Sequence, residues 1–523
     1  MTSRTVIKGG LVIDGTGSPR RPGDVVIEEN MIVAVGLSGD EHSDATVIEA
    51  GGQVIAPGFI DLHTHADYSV LAFASADSAL RQGITTIAVG NCGGGVAPIA
   101  DQHDIRPVSF AYRPEWGVEP TWRSFPEYLE KLDGLGVNVA AMVPHGALRN
   151  AVMGVVQRPA TPAELSEMVG MLDAAMQAGA VGISTGLQYR PGCWAPESEI
   201  RRLVEVVGSY EGIYASHIRD RSNNYSAAIA EAMTAATGTG AHLQLSHVAA
   251  RPNAPRVEID AAMSLMTHPT TDRFGVDTFP EPWGPGLLVD LLPPELMEGD
   301  TTDVLARLSN PASRSEMEAY VDAKASFLAQ VAGYSDIYLS WVPDRPDLLG
   351  FSLGAADTVG AFCCDILLEA GTKLREVGIR HIYADSPIID SILALPFCTI
   401  ASDGIVTSGE DEDCPLLWSA SSYGFTARLL EHYVRERNSL SLEEAVEKLT
   451  SLPAAALGLG DRGVIAPGKK ADLVLFDPDT IHDRSTPTLM ARHPTGIHTV
   501  IVNGIVAADG DGLTGTKAGR HVA

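Results

Sequence analysis

The chain has 523 residues, 45% of them hydrophobic and 20% charged, which is long enough for a large core and more than one domain. Its formal net charge of −29 disfavours nucleic acid and anionic membranes as partners, because both are bound by clustered Lys and Arg. The sequence shows no apolar run of membrane-spanning length, no signal-peptide core and few cysteines, so we expect a cytoplasmic protein with buried thiols.

Short strands are predicted at both ends of the chain. Residues 6 to about 56 contain Val25-Val26-Ile27 and Met31-Ile32-Val33-Ala34-Val35 on either side of a turn, which is the pattern of a hairpin. Near the other end, Asn503-Gly504 joins two apolar runs and is a strong hairpin signal. We therefore predict a small β-sandwich made by both termini, from residues 1–56 and 465–523.

Between these ends, apolar β-runs alternate with helical stretches, which predicts parallel strands joined by crossover helices. The eight predicted strands are 54–65, 85–89, 137–143, 181–184, 213–217, 243–247, 276–279 and 398–403; the clearest predicted helices are 163–177, 199–207, 226–237, 259–266, 428–437 and 442–449. This is the pattern of a (β/α)8 TIM-like barrel over residues 57–464. The segment at about 282–350 is too long for a simple connection, so we expect an inserted subdomain there.

His63 and His65 form a His-X-His pair at the end of the first predicted strand. Residues two apart in a strand point to the same face, so both imidazoles aim at one point and make half of a metal site. The alternative is two unrelated histidines, one packed and one solvated. The other strand ends decide between the two interpretations.

Potential metal ligands recur at the ends of the predicted strands, where a barrel of this kind carries its chemistry. They are His63, His65, Cys92, His145, His217, His247 and Asp403. Each alone has a structural explanation, such as a hydrogen-bonded core histidine or a turn-forming aspartate. Imidazole, thiolate and carboxylate together suit Zn²⁺, and one ion holds about four ligands. The set therefore predicts one zinc ion and leaves room for a second, with the Cys92 thiolate as the best bridge.

Several stretches resemble the amidohydrolase superfamily and, within it, the N-acyl-D-amino-acid deacylases, or D-aminoacylases. The resemblance covers nearly the whole chain and is weakest after Pro282. The matching stretches are Pro57 to His65, Gly83-Ile84-Thr85-Thr86, Gly90-Asn91-Cys92-Gly93, His145-Gly146-Ala147-Leu148-Arg149, Gly182-Ile183-Ser184-Thr185-Gly186-Leu187-Gln188-Tyr189, His217-Ile218-Arg219, Gln244-Leu245-Ser246-His247, Ser402-Asp403-Gly404, Leu452-Pro453-Ala454-Ala455, Ala471-Asp472-Leu473-Val474 and Val502-Asn503-Gly504.

The resemblance implies roles for the candidate ligands. It assigns His63, His65 and Asp403 to one metal position, and Cys92, His217 and His247 to the tighter one. Many members bridge two metals with a carboxylated lysine, but this chain has no lysine between Lys131 and Lys324, which supports Cys92 as the bridge. Asp403 is then the expected general base, which takes a proton from water and returns it to the departing nitrogen.

Three departures from the family fall among its substrate-binding residues. The family has a lysine at the position of Ala249, a His-Pro-Arg run where this chain has Cys414-Pro415-Leu416, and a Tyr-Pro-Tyr run where it has Phe279-Pro280-Glu281. Glu281 would repel an anionic substrate if it pointed into the pocket. Phe279 and Glu281 are therefore candidate pocket residues.

Nearby cations offer a replacement for the missing lysine and arginine. Arg219, Arg221 and Arg251 either bind a substrate carboxylate or are surface cations. Tyr189, in one of the matching stretches, is a further candidate for substrate binding.

Three functions remain open from the sequence. The leading prediction is a zinc-dependent amidohydrolase that cleaves a small-molecule amide other than an ordinary N-acyl-D-amino acid. The first alternative keeps the site and changes the substrate to a cyclic amide, such as a hydantoin, lactam or imide. The second is a non-catalytic scaffold, which predicts eroded ligands, whereas all six are present. The sequence leaves a homo-oligomer open.

Overall fold

The computed structural model describes residues 4–36, 45–297, 301–410, 413–414, 418–486 and 489–523. Within these ranges, no helix is both long enough and apolar enough to cross a membrane. The strands in chain order are β1 (Arg4–Val12), β2 (Arg21–Glu28), β3 (Met31–Gly36), β4 (Thr46–Glu49), β5 (Val54–Pro57), β6 (Phe59–Asp61), β7 (Ile84–Val89), β8 (Asn138–Pro144), β9 (Gly182–Gly186), β10 (Ile213–His217), β11 (His242–Leu245), β12 (Phe274–Thr278), β13 (Trp283–Leu287), β14 (Ile337–Trp341), β15 (Gly378–Ile382), β16 (Cys398–Ile400), β17 (Leu473–Phe476), β18 (Ile497–Val502), β19 (Ile505–Asp509) and β20 (Gly512–Leu513).

The helices follow the predicted alternation with the strands. They are α1 (Ser69–Ala72), α2 (Asp77–Leu80), α3 (Phe125–Leu129), α4 (His145–Met153), α5 (Pro162–Gln177), α6 (Glu197–Ser209), α7 (Tyr225–Ala236), α8 (Arg256–Thr267), α9 (Thr301–Ser309), α10 (Pro311–Asp322), α11 (Phe327–Ala332), α12 (Val359–Ala370), α13 (Ser386–Leu393), α14 (Ser421–Arg428), α15 (Leu442–Leu449) and α16 (Ser451–Ala456). A π-helical stretch, Leu429–Glu436, continues α14. Two short helices, α1 and α2, occupy the segment between β6 and β7.

Local sequence signals explain the clearest helix start. Helix α5 begins after Thr161, whose hydroxyl accepts from the backbone N–H of Glu164 while the Glu164 side chain accepts from the backbone of Thr161. This reciprocal pair satisfies two N–H groups that a helix start leaves without partners. Pro162 occupies the first turn, where its missing N–H costs nothing.

Eight parallel strands form the predicted barrel, in the order β6, β7, β8, β9, β10, β11, β12 and β16 among the described residues. The segments just after β6 and β16 join its two edges. The His65 N–H donates to the Gly404 carbonyl at 2.7 Å, and the Asp403 N–H donates to the His63 carbonyl at 3.0 Å. The predicted (β/α)8 fold is confirmed, and the closing bonds bring His63 and His65 beside Asp403.

The first predicted strand, Val54 to His65, is in fact two strands. Strand β5 pairs with β1 and β17 in the terminal sheet, and β6 starts the barrel. Gly58 separates them, and a Cβ at this position would lie 2.2 Å from the Thr85 side chain, so only glycine fits. His63 and His65 therefore lie in a loop after the strand. They flank Thr64, which forms a parallel bridge with Gly404 beyond the end of β6.

Strands from both chain ends lie in one sheet, which has nine strands in the described ranges, with β4 pairing with β1. Apolar side chains from both ends share one core, including Ile7, Val25, Ile55, Leu473 and Ile501. The predicted hairpin around Asn503-Gly504 is formed by β18 and β19. The division of the chain into domains stays a prediction.

A long segment between β12 and β16 has its own core. Strands β13, β15 and β14 form an antiparallel sheet, and buried apolar residues from Leu288 to Ile379 pack into one cluster. The cluster extends beyond residue 350, where the sequence pattern placed the end of an insertion. Strand β15 leads directly to Tyr383, whose hydroxyl donates to the His247 carbonyl at the mouth of the barrel.

Candidate metal centre

Six side chains meet at the C-terminal rim of the barrel in two groups that share Cys92. One ligand atom from each member lies within 4.8 Å of the others in its group; the groups are His63, His65, Cys92 and Asp403, and Cys92, His217 and His247. Cys92 Sγ lies 3.3 Å from His63 Nε2, 3.5 Å from His217 Nδ1 and 3.2 Å from His247 Nε2. These atoms could hold one or two metal ions with the thiolate between them.

A carboxylate completes the first group. His65 Nε2 lies 3.0 Å and His63 Nε2 lies 3.5 Å from Asp403 Oδ1. The ring of His65 packs against Phe110, and the Trp418 indole N–H donates to the Asp403 carbonyl at 2.9 Å. His65 is therefore held by Asp403 and Phe110, and Asp403 is held by the two histidines and, through its carbonyl, by Trp418.

Three of the candidate ligands have a left-handed backbone. The φ angles are +52° at Cys92, +32° at His247 and +50° at Asp403. Residues other than glycine rarely adopt this region, and such strain persists only where the surroundings impose it. The Asn91 side chain amide supplies one such restraint beside Cys92, because it approaches the carbonyls of Leu62 and Ala88. Strain at three converging side chains is typical of a functional site.

A hydrogen bond on the outer side of the His217 ring decides which of its nitrogens faces the centre. Gln188 Oε1 lies 3.0 Å from His217 Nε2 and also accepts from Arg251. Since this oxygen can only accept, His217 carries its proton on Nε2 and turns the lone pair of Nδ1 towards Cys92. Histidines that bind metals generally donate their other N–H in this way.

Comparison with known proteins identifies the family. The family model "Amidohydrolase family" matches residues 46–283 and 388–508. D-aminoacylase from Alcaligenes xylosoxydans xylosoxydans is 32% identical over 527 residues, covering 99% of this chain and 97% of that protein. The chain belongs to the amidohydrolase family. The resemblance predicted from the motifs is confirmed.

Two further proteins similar to this amidohydrolase are N-acyl-D-glutamate deacylases. N-acyl-D-glutamate deacylase from Alcaligenes xylosoxydans xylosoxydans is 33% identical, covering 95% of this chain and 92% of that protein. The crystal structure of N-acyl-D-glutamate deacylase from Bordetella bronchiseptica superposes with a TM-score of 0.79 at 30% identity and full coverage of both chains. That structure is a complex with zinc and a phosphonate inhibitor that mimics the tetrahedral intermediate.

Electrostatics in the amidohydrolase centre favour a thiolate and a carboxylate. Burial raises the pKa of Cys92, but the charges and hydrogen bonds of His63 and His65 outweigh burial and lower it. Burial also raises the pKa of Asp403, but the hydrogen bond from His65 and the charge of His63 outweigh it and lower that pKa as well. Two anionic donors among imidazoles form a donor set suited to a divalent cation.

Two predicted positions do not join the centre. His145, at the start of α4, is fully buried and lies 3.0 Å from Glu199 Oε1, which Arg149 also contacts. This network links α4 to α6 behind the barrel rim. Arg219 donates to both carboxylate oxygens of Glu231 and to the carbonyl of Cys193. Its guanidinium is thus already neutralised, and the structure does not support its predicted role in substrate binding.

The other predicted pocket residues divide into two sets. Tyr189 packs its ring 4.5 Å from the ring of His217, and Arg251 reaches the same histidine through Gln188. Phe279 is buried against Tyr383, and Glu281 accepts a hydrogen bond from Ser421. Tyr189 and Arg251 therefore lie at the ligand groups. Phe279 reaches them through Tyr383, whose hydroxyl donates to the His247 carbonyl, whereas Glu281 has its partner on α14.

The predicted Cys414-Pro415-Leu416 run is only partly visible in the structure. Cys414 is buried and packs near Tyr423, while Pro415 and Leu416 lie outside the described residues. Ala249 is fully buried and brings no charge to the pocket.

Sequence reasoning missed Asp277, which connects the two ligand groups. Its Oδ1 accepts from the His247 N–H at 2.7 Å and lies 3.4 Å from His63 Nδ1. Its Oδ2 accepts from Gln244 at 3.1 Å. A carboxylate in the middle of the predicted seventh strand, Val276-Asp277-Thr278, could have indicated a functional residue. No comparable pattern marks Tyr383, because it lies in the long segment between β12 and β16, which the barrel pattern does not cover.

We expect Asp277→Asn to weaken zinc binding about 10- to 100-fold, the usual cost of losing an outer hydrogen-bond partner of a metal ligand. The amide of asparagine can still accept from His247, but it no longer presents an anion to His63. Competition with a chelating dye measures the affinity. Asp260→Asn, at an exposed ion pair with Arg256, is the matched control; equal affinity in a folded Asp277 variant would contradict the role.

Proposed function

We propose that this amidohydrolase uses zinc to hydrolyse the amide bond of an N-acylated small molecule related to the N-acyl-D-amino acids. The observation that carries the proposal is the pair of ligand groups sharing Cys92 at the barrel rim. The relatives named D-aminoacylase and N-acyl-D-glutamate deacylase support the substrate class. His63, His65, Cys92, His217, His247 and Asp403 are the proposed ligands.

The chemistry of the site fits a zinc ion. Nδ1 of His217 and Nε2 of His247 lie 2.9 Å apart, and burial lowers the pKa of both rings, so both imidazoles are neutral and suited to act as ligands. The Cys92 thiolate lies against three imidazole nitrogens in a site closed to solvent. Soft and borderline donors of this kind select zinc over magnesium or calcium.

Bound zinc would supply a Lewis acid that polarises the scissile carbonyl and makes water more acidic. The residues of the chain supply the remaining steps. Asp403 Oδ1 stands at the edge of the ligand group and takes the proton of the attacking water. The same oxygen then returns the proton to the departing amide nitrogen, which leaves as a neutral amine. Tyr189, beside His217, forms one wall for the substrate.

The alternatives are less well supported. The two relatives from Alcaligenes are named D-aminoacylase and N-acyl-D-glutamate deacylase, and no contact in the described residues favours a cyclic amide. The scaffold alternative requires eroded ligands. A cytoplasmic location and a homo-oligomeric state stay predictions.

Metal removal tests the proposed function directly. We expect dialysis against a chelator to abolish hydrolysis of a panel of N-acyl-D- and N-acyl-L-amino acids, and added Zn²⁺ to restore it, because the polarising cation is lost and regained. Chromatography of the products separates the two amide classes. Deacylation releases two products, whereas ring opening of a cyclic amide releases one. Full activity in a metal-free sample would contradict the proposal.

A further inference from the structure

Two buried arginines lie on the His217 and His247 side of the centre. Arg221 and Arg251 are each 4% exposed. Arg221 Nη1 donates to the His247 carbonyl at 2.9 Å. Arg251 Nη2 donates at 3.3 Å to Gln188 Oε1, the oxygen that also accepts from His217. Arg221 therefore contacts a proposed metal ligand directly, and Arg251 reaches one through Gln188.

A backbone hydrogen bond joins the two arginines. The Arg251 N–H donates to the Arg221 carbonyl at 3.0 Å. The Arg221 guanidinium lies 4.6 Å from the centroid of the Tyr383 ring. The backbone bond and the Tyr383 ring thus fix both arginines beside the centre.

In the part of the chain that the structure describes, the guanidinium of Arg221 forms no ion pair. Among the described residues no carboxylate lies within ion-pair distance of its guanidinium, and its Nε is buried without a hydrogen-bond partner. By contrast, Glu199 neutralises Arg149 and Glu231 neutralises Arg219. Burying a cation without an anion is costly, so a ligand that brings a negative charge would be bound strongly.

We propose that Arg221 and Arg251 form a carboxylate site that holds the acid group of the substrate beside the scissile amide. The inference rests on the proposed function and narrows its substrates to amides with a free carboxylate. A guanidinium presents its N–H groups in a planar fork that matches both oxygens of a carboxylate. Since Ala249 contributes no charge, recognition of the acid depends on this pair.

A matched pair of substrates tests the site without any mutation. The pair is an N-acetyl-D-amino acid and its C-terminal carboxamide, which differ only in the charge next to the amide. We expect wild-type kcat/KM to favour the acid by roughly 10- to 100-fold, the value of a hydrogen-bonded charge. The preference should fall as salt concentration rises. An equal rate for both would overturn the carboxylate site while leaving the proposed hydrolysis intact.

Variants then assign the preference to these residues. In Arg221→Met and Arg251→Met we expect KM for the acid to rise and the ratio of kcat/KM for the acid to kcat/KM for the carboxamide to fall towards unity. Arg256→Met removes an exposed arginine and should keep the full preference. If these arginines only stabilised the barrel, their loss would lower kcat/KM for the acid and for the carboxamide by the same factor. This result would overturn the assignment.

Failure of the proposed function has a different signature. If neither member of the pair is hydrolysed by zinc-loaded enzyme, calorimetry still measures binding of both to the wild type. Tighter binding of the acid, lost in Arg221→Met or Arg251→Met, would support the carboxylate site with a different reaction at the metals. Equal binding of acid and carboxamide would overturn it.

Discussion

Cys92→Ser is expected to lower kcat/KM by more than ~100-fold, because even the loss of an outer partner of a metal ligand costs ~10–100-fold. Cys92 Sγ is the only atom common to both ligand groups in the described part of the chain. The neighbouring histidines lower its pKa, which favours the thiolate. A serine hydroxyl has a much higher pKa and is a harder donor, so it cannot bridge two ions in the same way.

Zinc content is the second measurement for this variant. We expect less zinc per chain in purified Cys92→Ser, with little change in the thermal midpoint of the barrel. Cys193→Ser is the matched control, because Cys193 is a half-buried thiol outside both groups and should keep wild-type zinc and activity. Wild-type zinc content and kcat/KM in the Cys92 variant would rule out a bridging thiolate.

Asp403→Asn is expected to lower kcat by about 10²–10⁴-fold, the usual contribution of a positioned general acid and base. The asparagine amide keeps the shape of the side chain but cannot accept the proton of water or return it to nitrogen. Asp403 is suited to this role because the hydrogen bond from His65 and the charge of His63 overcome the effect of burial and lower its pKa. It is therefore available as a base.

Substrate affinity and metal content separate the two roles of Asp403. If proton transfer is its main contribution, kcat falls while KM and zinc content change little. If it acts chiefly as a ligand, zinc is lost together with activity. A variant that retains both its zinc and the wild-type kcat would contradict both the proton-transfer role and the ligand role. Asp260→Asn, at an exposed aspartate, serves again as the control.

The barrel could be predicted because its elements have local signals. Strand β10 and helix α5 begin and end within one residue of the predicted bounds. The run Ile213–His217 is buried along its whole length, as expected for a parallel strand covered on both faces, and α5 has a capping box at its start. Periodicity and capping act over a few residues, so the sequence alone contains them.

The strand ends were predicted less well, and the error changes the explanation of the site. Strands β6, β11 and β16 end at Asp61, Leu245 and Ile400, whereas the sequence pattern extended them to the ligands. Loops after these strands carry the side chains, with left-handed backbones at His247 and Asp403. Bonds between loops, such as that from Asp403 N–H to the His63 carbonyl, set their positions.

The sequence by itself determined the barrel, the terminal strands, the family and the six candidate ligands, because ligand chemistry and residue periodicity are properties of short stretches. Only the tertiary structure decided which cations are available to a substrate. Arg219 and Arg221 are two residues apart, yet Glu231 neutralises the first and no described carboxylate pairs with the second. Ion pairing depends on distances between side chains far apart in the chain, which the linear pattern does not contain.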